Sequence, residues 1–167
     1  MSIAIDQSIT KPLIYKYKNI CRSPIAEAVL IYLIEKQYLC TLWYVDSAAL
    51  GEGHVDSLPD PRAIQTLRKH SAARYLHRAR QIHPSDFVKY DYIFGMDLNN
   101  ISALKSQAKE VQNSKAKILL LGDYDPQGER IIRDPYNDDD LNGFEQCYQQ
   151  CMRCCNAFLE QNPHTTG

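Results

Sequence analysis

Apolar residues gather in short runs separated by longer stretches of helical spacing. The run at residues 13–17 reads as a strand, and Ser23-Pro24 then supplies a helix start, with serine as the cap and proline at the first helical position. Ile25, Ala28, Val29, Tyr32 and Leu33 follow at helical steps. The alternation continues. Residues 42–45 read as a second strand, Asp60-Pro61 opens a helix through Lys69, and residues 90–96 read as a third strand. A helix over 97–108 and a fourth strand over 116–121 come next. The last helix runs from about Leu141 to Glu160, and Phe144, Cys147, Tyr148, Cys151, Cys155, Phe158 and Leu159 share one face of it, the expected core face.

Strands alternating with helices predict a three-layer α/β domain: a four-stranded parallel sheet with helices on both faces, as a single domain over residues 1–167. In such sheets ligands bind beyond the carboxyl ends of the strands. Two loops lie at that end, 16–23 after the first strand and 122–140 after the fourth. A net charge of −1, with 44% hydrophobic and 23% charged residues, gives no bias toward nucleic acid, membrane or disorder. Residues 1–11 hold no basic run followed by an apolar core, and no stretch approaches the ~18 apolar residues of a membrane span. A cytoplasmic protein is expected.

The cysteines change little. Cys21 and Cys40 stand alone while Cys147, Cys151, Cys154 and Cys155 crowd one helix, a distribution that fits reduced thiols. The two-residue spacing from Cys151 to Cys154 has no second pair at zinc-like spacing, so core packing is the expectation. Asp134, Asp138, Asp139 and Asp140 fit no calcium loop and lack its closing glutamate. No metal and no cofactor are expected.

The loop after the first strand carries the chemistry. A turn from a strand into a helix aims backbone N–H groups at one point, the helix dipole adds partial positive charge, and Arg22 can offer a bidentate fork, an arrangement suited to phosphate. The segment Lys16-Tyr17-Lys18-Asn19-Ile20-Cys21-Arg22-Ser23-Pro24 resembles the phosphate-binding loop of the low-molecular-weight tyrosine phosphatases, whose pattern is Cys-x-x-Asn-x-Cys-Arg-Ser-Pro followed by a helix. Asp46-Ser47-Ala48-Ala49, Pro59-Asp60-Pro61-Arg62-Ala63, His77-Arg78-Ala79-Arg80-Gln81, Asp91-Tyr92-Ile93 with Met96-Asp97, Leu121-Gly122-Asp123-Tyr124-Asp125-Pro126 and Asp134-Pro135-Tyr136 follow in that family's order.

The resemblance implies that residues 16–22 bind phosphate. It also implies that Asn19, Ser23, Ser47 and His77 support the loop, that His54 and Tyr136 sit on the pocket wall, and that Asp134 occupies the general-acid position. It implies as well that the nucleophile belongs six residues before Arg22, where this chain has Lys16. Tyr17 and Lys18 also depart from the pattern, and Gly53 and His54 stand where a bulky residue is frequent.

A lysine attacks only as the neutral amine, which near neutral pH requires its pKa to fall by about three units from ~10.4, roughly 4 kcal/mol. Cys21, one residue before Arg22, is not the attacking group of the pattern. A pseudophosphatase is therefore expected: a catalytically impaired homologue that binds a phosphotyrosine protein or peptide, or a phosphate-like anion. The alternative is an active phosphotyrosine or acid phosphatase with an unconventional mechanism. Lys16 either closes the pocket by pairing with Asp134 or swings aside and strengthens anion binding, and both stay open at this point.

Overall fold

Neighbouring strand residues point to opposite faces, and that alternation builds two cores. Ile14 and Phe94 enter one and Leu13, Ala48 and Ile93 the other. The computed structural model describes residues 9–16, 20–49, 51, 55–72 and 78–163, with Tyr15 and Lys16 as backbone. In chain order these form β1 (Pro12–Lys16), α1 (Arg22–Lys36), β2 (Asp46–Ala49), α2 (Pro61–Lys69), α3 (Asp86–Lys89), β3 (Tyr92–Gly95), α4 (Leu98–Lys109), β4 (Lys117–Leu120), a 3-10 turn (Leu121–Tyr124) and α5 (Asn142–Gln161). The four strands are parallel, in the order β2-β1-β3-β4. Side chains of α1, α2 and α5 cover one face of the sheet; Phe87 of α3 and Leu104 of α4 are buried on the other. The expected three-layer α/β architecture with a four-stranded parallel sheet is present. Among the described residues no helix is long and apolar enough to cross a membrane.

All seven residues expected on the core face of α5 are buried. Phe158 sits at the centre of an aromatic cluster, edge-on to Trp43, Tyr92, Phe94 and Tyr124. The six cysteines are thiols, with Cys40 exposed and the other five buried. A hydrogen bond with Cys147 and burial push the Cys151 thiol up, and burial pushes Cys155 well up and Cys154 to about 12.

Two expectations need correction, and one element is new. The second strand is Asp46–Ala49 rather than residues 42–45. Trp43 instead makes an isolated bridge to Thr10 and packs its ring on Phe158, so its burial reflects the aromatic cluster and not the sheet. Helix α1 begins at Arg22, which puts Ser23 and Pro24 inside its first turn and Cys21 at the cap position with no side-chain cap bond. Proline is tolerated there because first-turn N–H groups have no acceptor within the helix. The four-residue α3 was not foreseen, being too short to show a helical period.

Helix α1 ends in a paired Schellman turn: the Tyr38 amide donates to Glu35 O at 3.1 Å and the Leu39 amide to Ile34 O at 2.9 Å. Tyr38 holds φ at 57° with its residue surface 92% exposed, a left-handed position that favours glycine. Tyr38→Gly is therefore expected to stabilise the protein by about 1 kcal/mol, seen as a rise of roughly 2–4 °C in the melting temperature. An unchanged or lower melting temperature would show that the tyrosine contributes contacts that offset its strain.

Candidate functional site

Three connections meet at the carboxyl end of the sheet: the turn from β1 into α1, the turn from β3 into α4, and the long loop after β4. The Ile132 amide donates to Met96 O at 3.0 Å, which lays the long loop against the end of β3. The turn from β1 into α1 is held from the side by α2. There the Asp60 amide donates to Ile20 O at 2.7 Å, and Cys21 Sγ lies 3.9 Å from Asp60 Oδ2. Asp60 also caps α2, accepting from the Arg62 amide at 2.9 Å.

Arg22 stands at the centre. As the first residue of α1 it projects from the positive end of the helix dipole, and its side chain is only 6% exposed. Nη1 donates to Ile132 O at 2.5 Å, and Nη2 donates to Asp97 Oδ2 at 2.8 Å and lies 3.5 Å from Asp134 Oδ2. Nε is buried with no hydrogen-bond partner among the described residues. Buried N–H groups nearly always find an acceptor, so this one suits an oxyanion arriving on the Nε edge of the guanidinium.

Both oxygens of Asp134 are engaged, since its Oδ1 accepts from the Tyr136 amide at 3.2 Å while Oδ2 faces Arg22. The Asp134 side chain nonetheless remains 39% exposed. Tyr136 is partly buried, with its ring packed against the larger core cluster. Ser47, buried on β2, donates from Oγ to Glu27 Oε2 on α1 and from its amide to Asp46 Oδ1 at 2.8 Å, so it ties β2 to α1. Ser23 and Ile20 are buried beside Arg22 in sequence. The side chain of Lys16 and the whole of Tyr17, Lys18, Asn19, His54 and His77 lie outside the described residues. Among the described residues no cluster of three or more potential ligands is placed to hold a metal.

The model of the family described as low molecular weight phosphotyrosine protein phosphatase matches residues 14–164, nearly the whole chain. The chain belongs to this phosphatase family. A pig protein bearing that family's name is 47% identical over 156 residues, covering 93% of this chain and 98% of its own. Among solved structures, Primo-1 aligns with a TM-score of 0.84 at 46% identity, over 92% of this chain and 98% of its own. A Drosophila arginine phosphatase aligns with a TM-score of 0.85 at 36% identity, over 94% of this chain and 99% of its own.

In this member of the family the sequence reading missed three contributors. Asp97 was read as the first residue of a helix over 97–108; it caps that helix instead, accepting from the Asn100 amide at 2.9 Å through Oδ1, and its Oδ2 lies 2.8 Å from Arg22 Nη2. Glu27 is wholly buried, a carboxyl group hidden among apolar helix positions that accepts from Ser47, twenty residues away. Arg62 reaches from α2 to the loop carrying Asp134 and bonds Tyr136 O at 2.9 Å. The side-chain bond to Asp60 raises the Arg62 pKa above its ordinary value, so the guanidinium is a permanent cation here. A capping aspartate two residues before an arginine was the available signal for the last of these.

Proposed function

We propose that this chain is a catalytically impaired member of its family, a pseudophosphatase that binds a phosphotyrosine protein or peptide, or a phosphate-like anion, instead of hydrolysing it. The observation that carries the reading is Lys16, the last residue of β1, standing six residues before Arg22 where the family pattern has its nucleophilic cysteine. Residues 16–22 form the anion-binding loop in this reading, with Arg22 as the fork. Asn19, Ser23, Ser47 and His77 support the loop, His54 and Tyr136 form the walls, and Asp134 keeps the general-acid position with no thiolate to assist. The buried Nε of Arg22, without a hydrogen-bond partner among the described residues, supports an anion ligand. No metal, cofactor, nucleic acid or membrane enters the reading, and the proposed compartment is the cytoplasm.

A second reading, an active phosphotyrosine or acid phosphatase using an unconventional mechanism, draws on Asp134 lying 3.5 Å from Arg22 and on relatives named as phosphatases. Two measurements on the purified chain separate the readings: aryl phosphate hydrolysis, and thermal stabilisation by inorganic phosphate. The proposal expects hydrolysis at the buffer rate and phosphate stabilisation that vanishes in Arg22→Ala while the fold survives. Turnover that disappears in Asp134→Ala would establish the enzyme reading. Phosphate stabilisation that persists in Arg22→Ala would remove the anion site from this loop.

A further inference from the structure

The contacts around Arg22 close into a ring. Beginning at the turn before α1, Ile20 O accepts from the Asp60 amide and Cys21 Sγ lies beside the Asp60 carboxylate. Asp60 in turn receives Arg62 through Nε at 3.0 Å and Nη2 at 2.8 Å. The same guanidinium leaves α2 to donate to Asp138 O at 2.5 Å through Nη1 and to Tyr136 O at 2.9 Å through Nη2, while its carbon lies 4.5 Å from the centre of the Phe144 ring. The Tyr136 amide donates to Asp134 Oδ1, and Asp134 Oδ2 faces Arg22, which brings the ring back to the residue after Cys21. Every donor on Arg62 that these contacts use is directed either at its own capping aspartate or at the loop that presents Asp134.

That loop has other ties, and they lie on either side of Asp134. Gln150 of α5 donates to Glu129 O at 2.7 Å and Ile131 O at 3.2 Å, before it. Arg133 pairs with Asp138, and the Asp138 amide donates to Pro135 O at 3.1 Å, which folds residues 133–138 into a compact turn. Arg22 also holds this loop, through Ile132 O just before Asp134, and Arg62 adds a tie from α2 to residues 136 and 138 just after it. A planar guanidinium suits the task because it can hold a carboxylate and two carbonyls in one plane, which an ammonium cannot.

We propose that Arg62 is a positioning residue: it holds the 134–138 turn so that the Asp134 carboxylate stays against Arg22, and by doing so it sets how readily the site accepts an oxyanion. The inference rests on the reading of Arg22 as the anion ligand. Asp134 competes with an incoming anion for the guanidinium of Arg22. Loosening the turn removes that competitor, so losing Arg62 strengthens anion binding, the opposite of what a damaged scaffold gives.

The test uses the full chain with inorganic phosphate as the probe. Phosphate affinity, from calorimetry or the concentration dependence of the melting temperature, is measured for wild type, Arg62→Gln, Asp134→Asn and the double variant. A screened pair at a partly exposed carboxylate predicts about a threefold gain for each single variant. The double variant should gain no more than either alone, because both remove the same competitor. Arg62→Lys keeps the charge with fewer donors and should fall between wild type and Arg62→Gln. Weaker binding in Arg62→Gln, or gains that multiply in the double variant, would overturn the proposal.

Hydrogen exchange at the Tyr136 amide provides a readout that needs no ligand. It should speed up in Arg62→Gln while amides in β3 and α4 keep wild-type exchange, and unchanged Tyr136 exchange would also overturn the proposal. If no variant responds to phosphate but Tyr136 exchange rises, the anion reading has failed and so has the claim about affinity, while Arg62 is left as the anchor of the turn.

Discussion

Replacing Lys16 with cysteine is expected to raise aryl phosphate hydrolysis by about a thousandfold or more over wild type. Where a catalytic group works as one part of a unit, its loss can cost on the order of a millionfold, and restoring it recovers as much as the remaining parts allow. Several remaining parts are in place. Arg22 is fixed at the start of α1, and Asp134, the proposed general acid, lies 3.5 Å from it. Asp97 and Ile132 O hold the guanidinium. The gain is set below the full millionfold because Lys18 stands where the family pattern has glycine, and Tyr17 departs from it as well. Steady-state kinetics of wild type, Lys16→Cys and Lys16→Cys with Asp134→Ala check the idea. A gain that collapses when Asp134 is removed means the loss in this chain is local to residue 16. No gain at all would assign the loss also to the neighbouring positions or the pocket wall.

The largest expected effect on stability is at the other end of the molecule. Phe158→Ala should cost about 3–5 kcal/mol, the range for truncating a fully buried phenylalanine. Phe158 is wholly buried, and its ring centre lies 5.5 Å from that of Trp43, 5.2 Å from Tyr92, 4.9 Å from Phe94 and 5.3 Å from Tyr124, all at steep angles. Edge-to-face pairs of this kind add to the area they bury. These partners come from β3, from the turn after β4 and from the segment before β2, so the cavity cannot be filled by moving one element. Urea denaturation would measure the cost. A loss below about 1.5 kcal/mol would mean that the cluster repacks around a smaller residue.

How far the sequence carried the reading depended on range. Helix α5 was legible because twenty residues with a regular apolar face leave little doubt about period, and each residue expected to be buried is buried. Strand β2 was misplaced because Asp46-Ser47-Ala48-Ala49 contains nothing large: Ser47 meets Glu27 of α1 on one face and Ala48 enters the second core on the other, tertiary causes with no local trace. Nearby Leu42 and Trp43 looked more like a strand, yet Trp43 is buried through its contact with a residue 115 positions later. At the site, Arg22 and Asp134 were found through a known pattern, whereas Asp97 and Arg62 were hidden by having ordinary duties. A helix cap and a first-turn arginine are complete explanations within four residues of sequence, so nothing local suggested their second roles.

The thiols give the fold a built-in clock. Five of the six are sealed in the interior, and the three whose pKa values are pushed upward hold their protons at neutral pH, so an alkylating reagent in native buffer meets Cys40 alone as an exposed target. Each further alkyl group then records one event in which α5, or the turn before α1, parted from its neighbours. Because Cys21 caps α1 next to Arg22 and the other four line α5, mass spectra of partly labelled protein can time opening around the start of α1 separately from opening of the core.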